Sequence, residues 1–127
     1  MQQKQLYEYA VIRIMPRVER EEFINVGVVL YCAASGFLQA KYTIDMPRLS
    51  AFCGDCDIPE AEEYLMAFSR ICRGNGDAGP ISKLPAAARF RWLTATRSTI
   101  VQTSKVHPGF CDDPGEMLEK LFGDLVV

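Results

Sequence analysis

The sequence predicts an α+β fold, with one domain over residues 1–127 and an antiparallel sheet of about four strands covered by helices. Three observations predict it. The first part of the chain holds three strand-like runs joined by short loops. The remainder holds capped, amphipathic helical patterns. The length of 127 residues allows one hydrophobic core and is too short for two.

The first three predicted strands form a meander. Residues 6–15 alternate in polarity and end at Pro16, residues 22–32 are rich in β-branched and aromatic side chains, and residues 37–44 alternate again after a turn at Gly36. Strands joined by such short loops usually pair antiparallel.

The second of these strands is apolar on both faces, which predicts a central strand covered on both sides. Two residues interrupt it: the Asn25 amide needs hydrogen-bond partners, and Gly27 indicates a bulge or a close backbone approach. A period of two assigns one face to Ile24, Val26, Val28 and Leu30, and the other to Phe23, Asn25, Gly27, Val29 and Tyr31.

Capping signals predict the helices that surround the sheet. Asp45 begins a short helix that runs to Phe52. Asp57 begins a helix near residues 58–73, with a glutamate at the capping-box spacing, and Gly74 ends it.

The C-terminal third is predicted with less regular signals. Residues 85–95 combine a proline–alanine helix start with an alternating Arg-Phe-Arg-Trp run, and we interpret them as a helix. Residues 98–104 are typical of a fourth strand, and a second capping signal at Asp113 predicts a terminal helix near residues 114–125.

Composition narrows the functional classes. The formal net charge of −2 argues against a general nucleic-acid binder and so against a nucleic-acid partner, but it leaves room for local readout by a few arginines. No signal peptide and no bilayer-spanning apolar run are visible, which predicts a cytoplasmic protein without a membrane partner. The phosphate-binding, dinucleotide-binding and metalloprotease motifs are absent from the sequence, so no cofactor is predicted.

The five cysteines include one Cys-x-x-Cys pair, Cys53 and Cys56. A structural zinc site needs four ligands, and His107 and Cys111 could complete one only if the fold joined them to the pair. We therefore predict no metal site, and we interpret all five cysteines as reduced thiols that behave mostly as small apolar side chains.

His107, the only histidine, is a candidate general acid or base. Its place in a predicted loop before proline is more typical of a hydrogen-bonding or capping residue. Arg97 and Ser98 precede the fourth strand, where an arginine could clamp a carboxylate or phosphate. A salt bridge from Arg97 to the acidic residues of segment 19–22 is the favoured alternative.

Arg13 and Asn25 lie on predicted strands and carry polar groups that need partners. For Arg13 the nearest acidic candidate is Glu22. Asn25 is more typical of an amide that fixes the sheet than of a catalytic group. Arg89 and Arg91 could stack on bases beside their aromatic neighbours, although this pattern usually marks the core and rim of an amphipathic helix.

Several segments together resemble a bacterial family catalogued as domain of unknown function 3037. The most specific is the Asn-Val-Gly-Val-Val-Leu block at residues 25–30. The resemblance implies a small single-domain protein without assigned activity, encoded beside a HipA-like kinase-fold protein that is a candidate partner. The Cys-x-x-Cys pair is outside the family pattern. The segments that carry the likeness are residues 7–13, 22–30, 89–95, 97–102, 107–109 and 112–114.

Two functions follow as hypotheses. The first, which we prefer, is a non-catalytic accessory or interaction module. The second is a small enzyme or nucleic-acid-processing protein with a composite Arg/Glu/His site, so that the enzyme question stays open. The candidate polar residues are Arg13, Glu22, Asn25, Arg97, Ser98 and His107. Convergence of these side chains around a pocket would favour the second hypothesis.

Overall fold

A computed structural model describes residues 4–74, 79–95 and 99–127, and it places one antiparallel sheet between helices. The predicted α+β class is confirmed. In chain order the elements are β1 (Gln5–Ile14), β2 (Ile24–Cys32), β3 (Phe37–Tyr42), α1 (Met46–Phe52), α2 (Ile58–Arg73), α3 (Ala86–Leu93), β4 (Val101–Thr103), β5 (His107–Cys111) and α4 (Pro114–Leu125).

The sheet has the order β3-β2-β1, and both β4 and β5 pair with the far edge of β1. The predicted meander is confirmed. β4 lies along the C-terminal part of β1, and β5 lies along its N-terminal part. The structure thus adds a fifth strand where the sequence predicts a loop around His107. That loop prediction is wrong because the open edge of β1 pairs with this segment despite its proline and glycine.

Between β4 and β5, the buried residue Ser104 continues the hydrogen bonding to the edge of β1. The Ser104 hydroxyl accepts a hydrogen bond from the Val11 N–H at 2.8 Å, and the Ser104 N–H donates to the Val11 carbonyl at 2.9 Å. The same hydroxyl donates to the Lys105 carbonyl at 2.9 Å. The backbone groups of β1 therefore stay bonded where the edge strand is interrupted.

The predicted helix starts are confirmed. The Asp57 carboxylate accepts from the Glu60 N–H at 3.0 Å, and the Asp113 carboxylate accepts from the Gly115 N–H at 2.9 Å. Gly74 ends α2 with a left-handed φ of 69°. The ambiguous segment 85–95 is helical, as α3.

A β-bulge at Val26 overturns the face assignment predicted for β2. Ile12 pairs with Gly27 whereas Arg13 pairs with Asn25, so Val26 is the extra residue. Gly27 permits the arrangement, because a Cβ there would lie 2.6 Å from the Lys41 carbonyl oxygen. The period-two prediction is wrong beyond this point, since one added residue exchanges the two faces.

Two separate cores result, one on each side of the sheet, so the expectation of a single core is wrong. β2 is covered on both faces, as predicted. Helices α1, α2 and α3 cover the first core, whose buried sheet residues are Ala10, Ile12, Ile14, Ile24, Val26, Val29, Leu38 and Val101. Helix α4 covers the second, whose buried members are Tyr7, Val28, Leu30, Cys32, Cys111, Leu118, Phe122 and Val126.

The cysteines divide into a bonded pair and three buried thiols. Cys53 and Cys56 form a disulfide between α1 and α2, which corrects the prediction of free thiols there. The short turn between the helices brings their Cα atoms to 5.5 Å. The remaining three, Cys32, Cys72 and Cys111, are free and buried, as predicted.

The described residues contain neither a metal-ligand cluster nor a helix that could span a membrane. Within residues 4–74, 79–95 and 99–127 we find no group of three or more His, Cys, Asp or Glu side chains arranged to hold a metal ion. None of the helices in those ranges has the length and apolar character needed to cross a bilayer.

Candidate functional site

Arg13 occupies the centre of the candidate polar site. On β1 it lies opposite Asn25 of β2 and Gln102 of β4. Its guanidinium carbon is 3.9 Å from the centroid of the Phe23 ring, a cation–π contact. Its Nε atom is buried and has no hydrogen-bond partner among the described residues. Burial also lowers the pKa of this guanidinium from its usual value.

Asn25 ties the end of α4 to the sheet. Its Nδ2 donates to the Leu125 carbonyl at 3.1 Å, while its Oδ1 is buried and unpartnered within the described chain. Because Asn25 and Arg13 are cross-strand partners, an unpaired acceptor lies beside an unpaired donor. A group that accepts from Arg13 and donates to Asn25 would satisfy both atoms.

Glu22 and His107 contact residues other than Arg13. Glu22 forms an ion pair with Arg20, so the predicted pairing with Arg13 is wrong. His107 is exposed on β5, and its ring centroid is 5.3 Å from that of Tyr9. Tyr9 precedes Arg13 by four residues, which is about 13 Å along an extended strand.

The structure therefore brings together only part of the predicted set. Arg97 and Ser98 lie outside the described residues. Among the four candidates that are described, no hydrogen bond joins any two. Arg13 and Asn25 lie opposite each other on β1 and β2, whereas Glu22 and His107 contact other partners.

Arg89 has a structural contact that the sequence did not indicate. Its Nη1 donates to the carbonyls of Ile71 and Cys72, at 2.9 and 2.7 Å, and its Nε donates to the Leu84 carbonyl at 2.9 Å. The guanidinium thus caps the C-terminus of α2. These bonds give Arg89 a structural role at the end of α2, in line with the helix-rim alternative to stacking on bases.

A protein-family model described as protein of unknown function, DUF3037, matches residues 9–126, which is nearly the whole chain. The chain belongs to the DUF3037 family. No curated protein and no solved structure matches it. The resemblance seen in the sequence is confirmed.

The DUF3037 chain also carries an apolar groove between α2, α3 and β4. Its volume is about 280 Å³. Tyr64 of α2 and Trp92 of α3 are each 40% exposed at this groove. Most of its surface is formed by the apolar side chains of Tyr64, Phe68, Ile71, Trp92, Leu93 and Val101.

The periodicity of the sequence does not distinguish these groove residues from core residues. Tyr64 lies on the apolar face of α2 together with Leu65 and Phe68. That periodic pattern does not show where α3 diverges from α2 and leaves an apolar side chain exposed. The Arg-Phe-Arg-Trp run that contains Trp92 is likewise typical of the core and rim of an amphipathic helix. The identity of the two residues was the one available indication, because tyrosine and tryptophan have a polar group on an apolar ring and tolerate a half-exposed position.

Proposed function

We propose that this DUF3037 protein is a non-catalytic interaction module of the bacterial cytoplasm, and that the groove between α2 and α3 receives an apolar segment of a protein partner. The observation that carries the proposal is the half-exposed Tyr64–Trp92 pair above a floor of Phe68, Ile71 and Leu93. Tyrosine and tryptophan are enriched among the residues that dominate binding energy at protein interfaces.

The groove is better suited to an apolar side chain of a partner protein than to a polar substrate. Its surface is mainly apolar, and its volume of about 280 Å³ is at the lower end of the usual range for ligand sites. A space of this size accommodates one or two large apolar side chains. Burying them would release water from both partners, which is the main favourable contribution to such association.

The first candidate partner is the HipA-like kinase-fold protein that the family resemblance implies. The relevant experiment co-expresses the DUF3037 chain with that neighbour from its own host and measures binding between the purified proteins. We expect a complex that Tyr64→Ser weakens about tenfold or more, because the variant loses a large apolar contact at the centre of the groove.

Met66→Ser is the matched control. Met66 is on the same helix and is 48% exposed, but it does not line the groove. We expect Met66→Ser to bind like wild type. Two outcomes would contradict the proposal: the chain runs alone although the neighbour is present at physiological concentration, or both serine variants weaken binding equally.

A second candidate function is a small enzyme or nucleic-acid-processing protein that uses Arg13, the one described member of the predicted composite Arg/Glu/His site that is not engaged by Arg20 or Tyr9. The unpaired Arg13 Nε and Asn25 Oδ1 favour it, because they offer a donor and an acceptor to a polar ligand. Native mass spectrometry of the purified protein tests this function. A small molecule retained by wild type and lost from Arg13→Met would support it, and a wild-type protein without bound ligand would count against it.

A further inference from the structure

The disulfide between α1 and α2 lies between two open clefts. Cys53 lines a cleft of about 260 Å³, and both Cys53 and Cys56 line a second cleft of about 310 Å³. Arg17 contributes to both clefts. Both cysteines are only partly buried, whereas the three free cysteines are fully buried. The sulfur pair is therefore the part of the chain's thiol chemistry that solvent and small solutes can reach.

We propose that Cys53 and Cys56 form a dithiol–disulfide exchange site, whose substrate is a low-molecular-weight disulfide or thiol of the size of a short peptide. Proximity allows the exchange, since the Cα separation of 5.5 Å lets the two sulfurs bond without movement of the backbone. The two clefts give a small thiol compound access to the sulfurs. This site is independent of the groove between α2 and α3.

The surroundings assign different roles to the two cysteines. Cys56 directly precedes the cap of the 16-residue helix α2, whose N-terminus favours a nearby thiolate and opposes the effect of the Asp57 and Glu60 carboxylates in the same cleft. Cys53 instead lies at the C-terminal end of α1, which disfavours a thiolate. The Cys53 sulfur lies 3.3 Å from Asp55 Oδ1, whose negative charge disfavours a thiolate on that sulfur. Cys56 is therefore the attacking residue and Cys53 the resolving residue.

The reaction balances without a further reactant. In the reduced protein, the Cys56 thiolate attacks one sulfur of the small disulfide, so a new S–S bond forms and the first small thiolate leaves with the bonding pair. The Cys53 thiol loses its proton and attacks the Cys56 sulfur, which expels the second small thiolate. The protein gives up two electrons as the Cys53–Cys56 bond forms, and the small disulfide is reduced to two thiols.

Single-cysteine variants of the full chain test the site. The protein is reduced with a phosphine, freed of reductant, mixed with oxidised glutathione and quenched with acid for mass spectrometry. We expect Cys53→Ser, which keeps Cys56, to hold one glutathione, and to do so about tenfold faster than an ordinary surface thiol. Wild type should instead form the internal disulfide and release two reduced glutathione molecules per chain.

The surface thiol for comparison is Ser50→Cys in a chain where Cys53 and Cys56 are both serine. Ser50 is exposed on α1 and lies outside both clefts. Circular dichroism confirms that each variant is folded, and peptide mapping of wild type at fixed glutathione ratios gives a measurement that needs no variant. Reaction of Cys53→Ser no faster than the Ser50→Cys control, or a wild type that keeps two thiols at every ratio, would overturn the proposal.

Discussion

The two faces of the sheet carry different kinds of side chain at their surfaces. The α4 face carries two of the candidate polar residues, Arg13 and Asn25, and Asn25 is bonded to the end of α4. The α1–α2–α3 face carries the apolar groove and lies beside the disulfide. The groove residues match none of the catalytic or cofactor-binding motifs considered in the sequence. Polar residues that stand out in the sequence therefore need not lie on the surface that we propose for a partner.

The largest expected effect comes from the core of the α1–α2–α3 face. Phe90 is 2% exposed, and its ring stacks on that of Tyr31 at 5.4 Å. Phe90→Ala should lower the free energy of unfolding by about 3–5 kcal/mol, because it leaves a cavity under α3. Urea denaturation measures the loss. Phe90→Leu is the milder control, and an alanine variant as stable as the leucine variant would show that the α3 packing is not as described.

Alkaline pH should reveal the buried thiol of Cys72 on the α1–α2–α3 face. Burial raises the pKa of Cys72 to about 12, and it also raises the pKa of Cys111 on the α4 face. The unfolded thiol of Cys72 ionises from about pH 9, so the folded state binds more protons between pH 9 and 12 and the free energy of unfolding falls as pH rises.

For Cys72 this contribution is about 1.4 kcal/mol per pH unit at most. Chemical denaturation of wild type and Cys72→Ala between pH 8 and about 10.5 measures it. The alanine variant should lose the steeper part of the pH dependence. Parallel curves for the two proteins would contradict the assignment to Cys72.

Reduction of the disulfide should have a moderate effect. The bond closes a loop of only four residues, so the chain-entropy relation gives a stabilisation of about 2 kcal/mol. Thermal unfolding with and without a phosphine measures the difference in Tm. The chain with serine at Cys53 and Cys56 is the control and should not respond to the reductant; an equal response in both proteins would show that another group is being reduced.

Asn25→Ala should cost about 1–2 kcal/mol, because it removes the hydrogen bond from Nδ2 to the Leu125 carbonyl. The effect should appear as faster hydrogen exchange at the end of α4. Thr43→Ala, an exposed substitution after β3, provides the surface comparison. Unchanged exchange near Leu125 would show that the amide does not hold the helix.

The smallest expected effect is at Arg13. Arg13→Met loses a cation–π contact with Phe23 that is worth about 0.5–1 kcal/mol, but it also removes a buried Nε without a partner. The net change in the free energy of unfolding should be below about 1 kcal/mol. Thermal denaturation checks it, and a loss of several kcal/mol would mean that Arg13 is a structural residue.

Local signals allowed much of the fold to be predicted. The caps at Asp57 and Asp113 depend on groups within three residues, so the helix starts could be located from the sequence. Gly27 indicated a bulge or a close backbone approach, and both are present there, but the resulting exchange of the two faces of β2 could not be predicted because it depends on the pairing of β2 with its neighbours.

The candidate site was harder to predict for the same physical reason. The adjacency of Arg13 and Asn25 depends on the strand register, and the bulge sets that register. The exposure of Tyr64 depends on where α3 lies beside α2. The bond between Cys53 and Cys56 depends on the turn between two helices, which cysteine counting does not describe.

One binding measurement tests the central difference between the two faces most directly. Tyr64→Ser and Arg13→Met are titrated separately with the purified kinase-fold neighbour, and their Kd values are compared with that of wild type. Our account predicts that Tyr64→Ser raises Kd about tenfold or more while Arg13→Met leaves it unchanged. The reverse result, with binding lost in Arg13→Met and kept in Tyr64→Ser, would contradict it and place the interface on the α4 face.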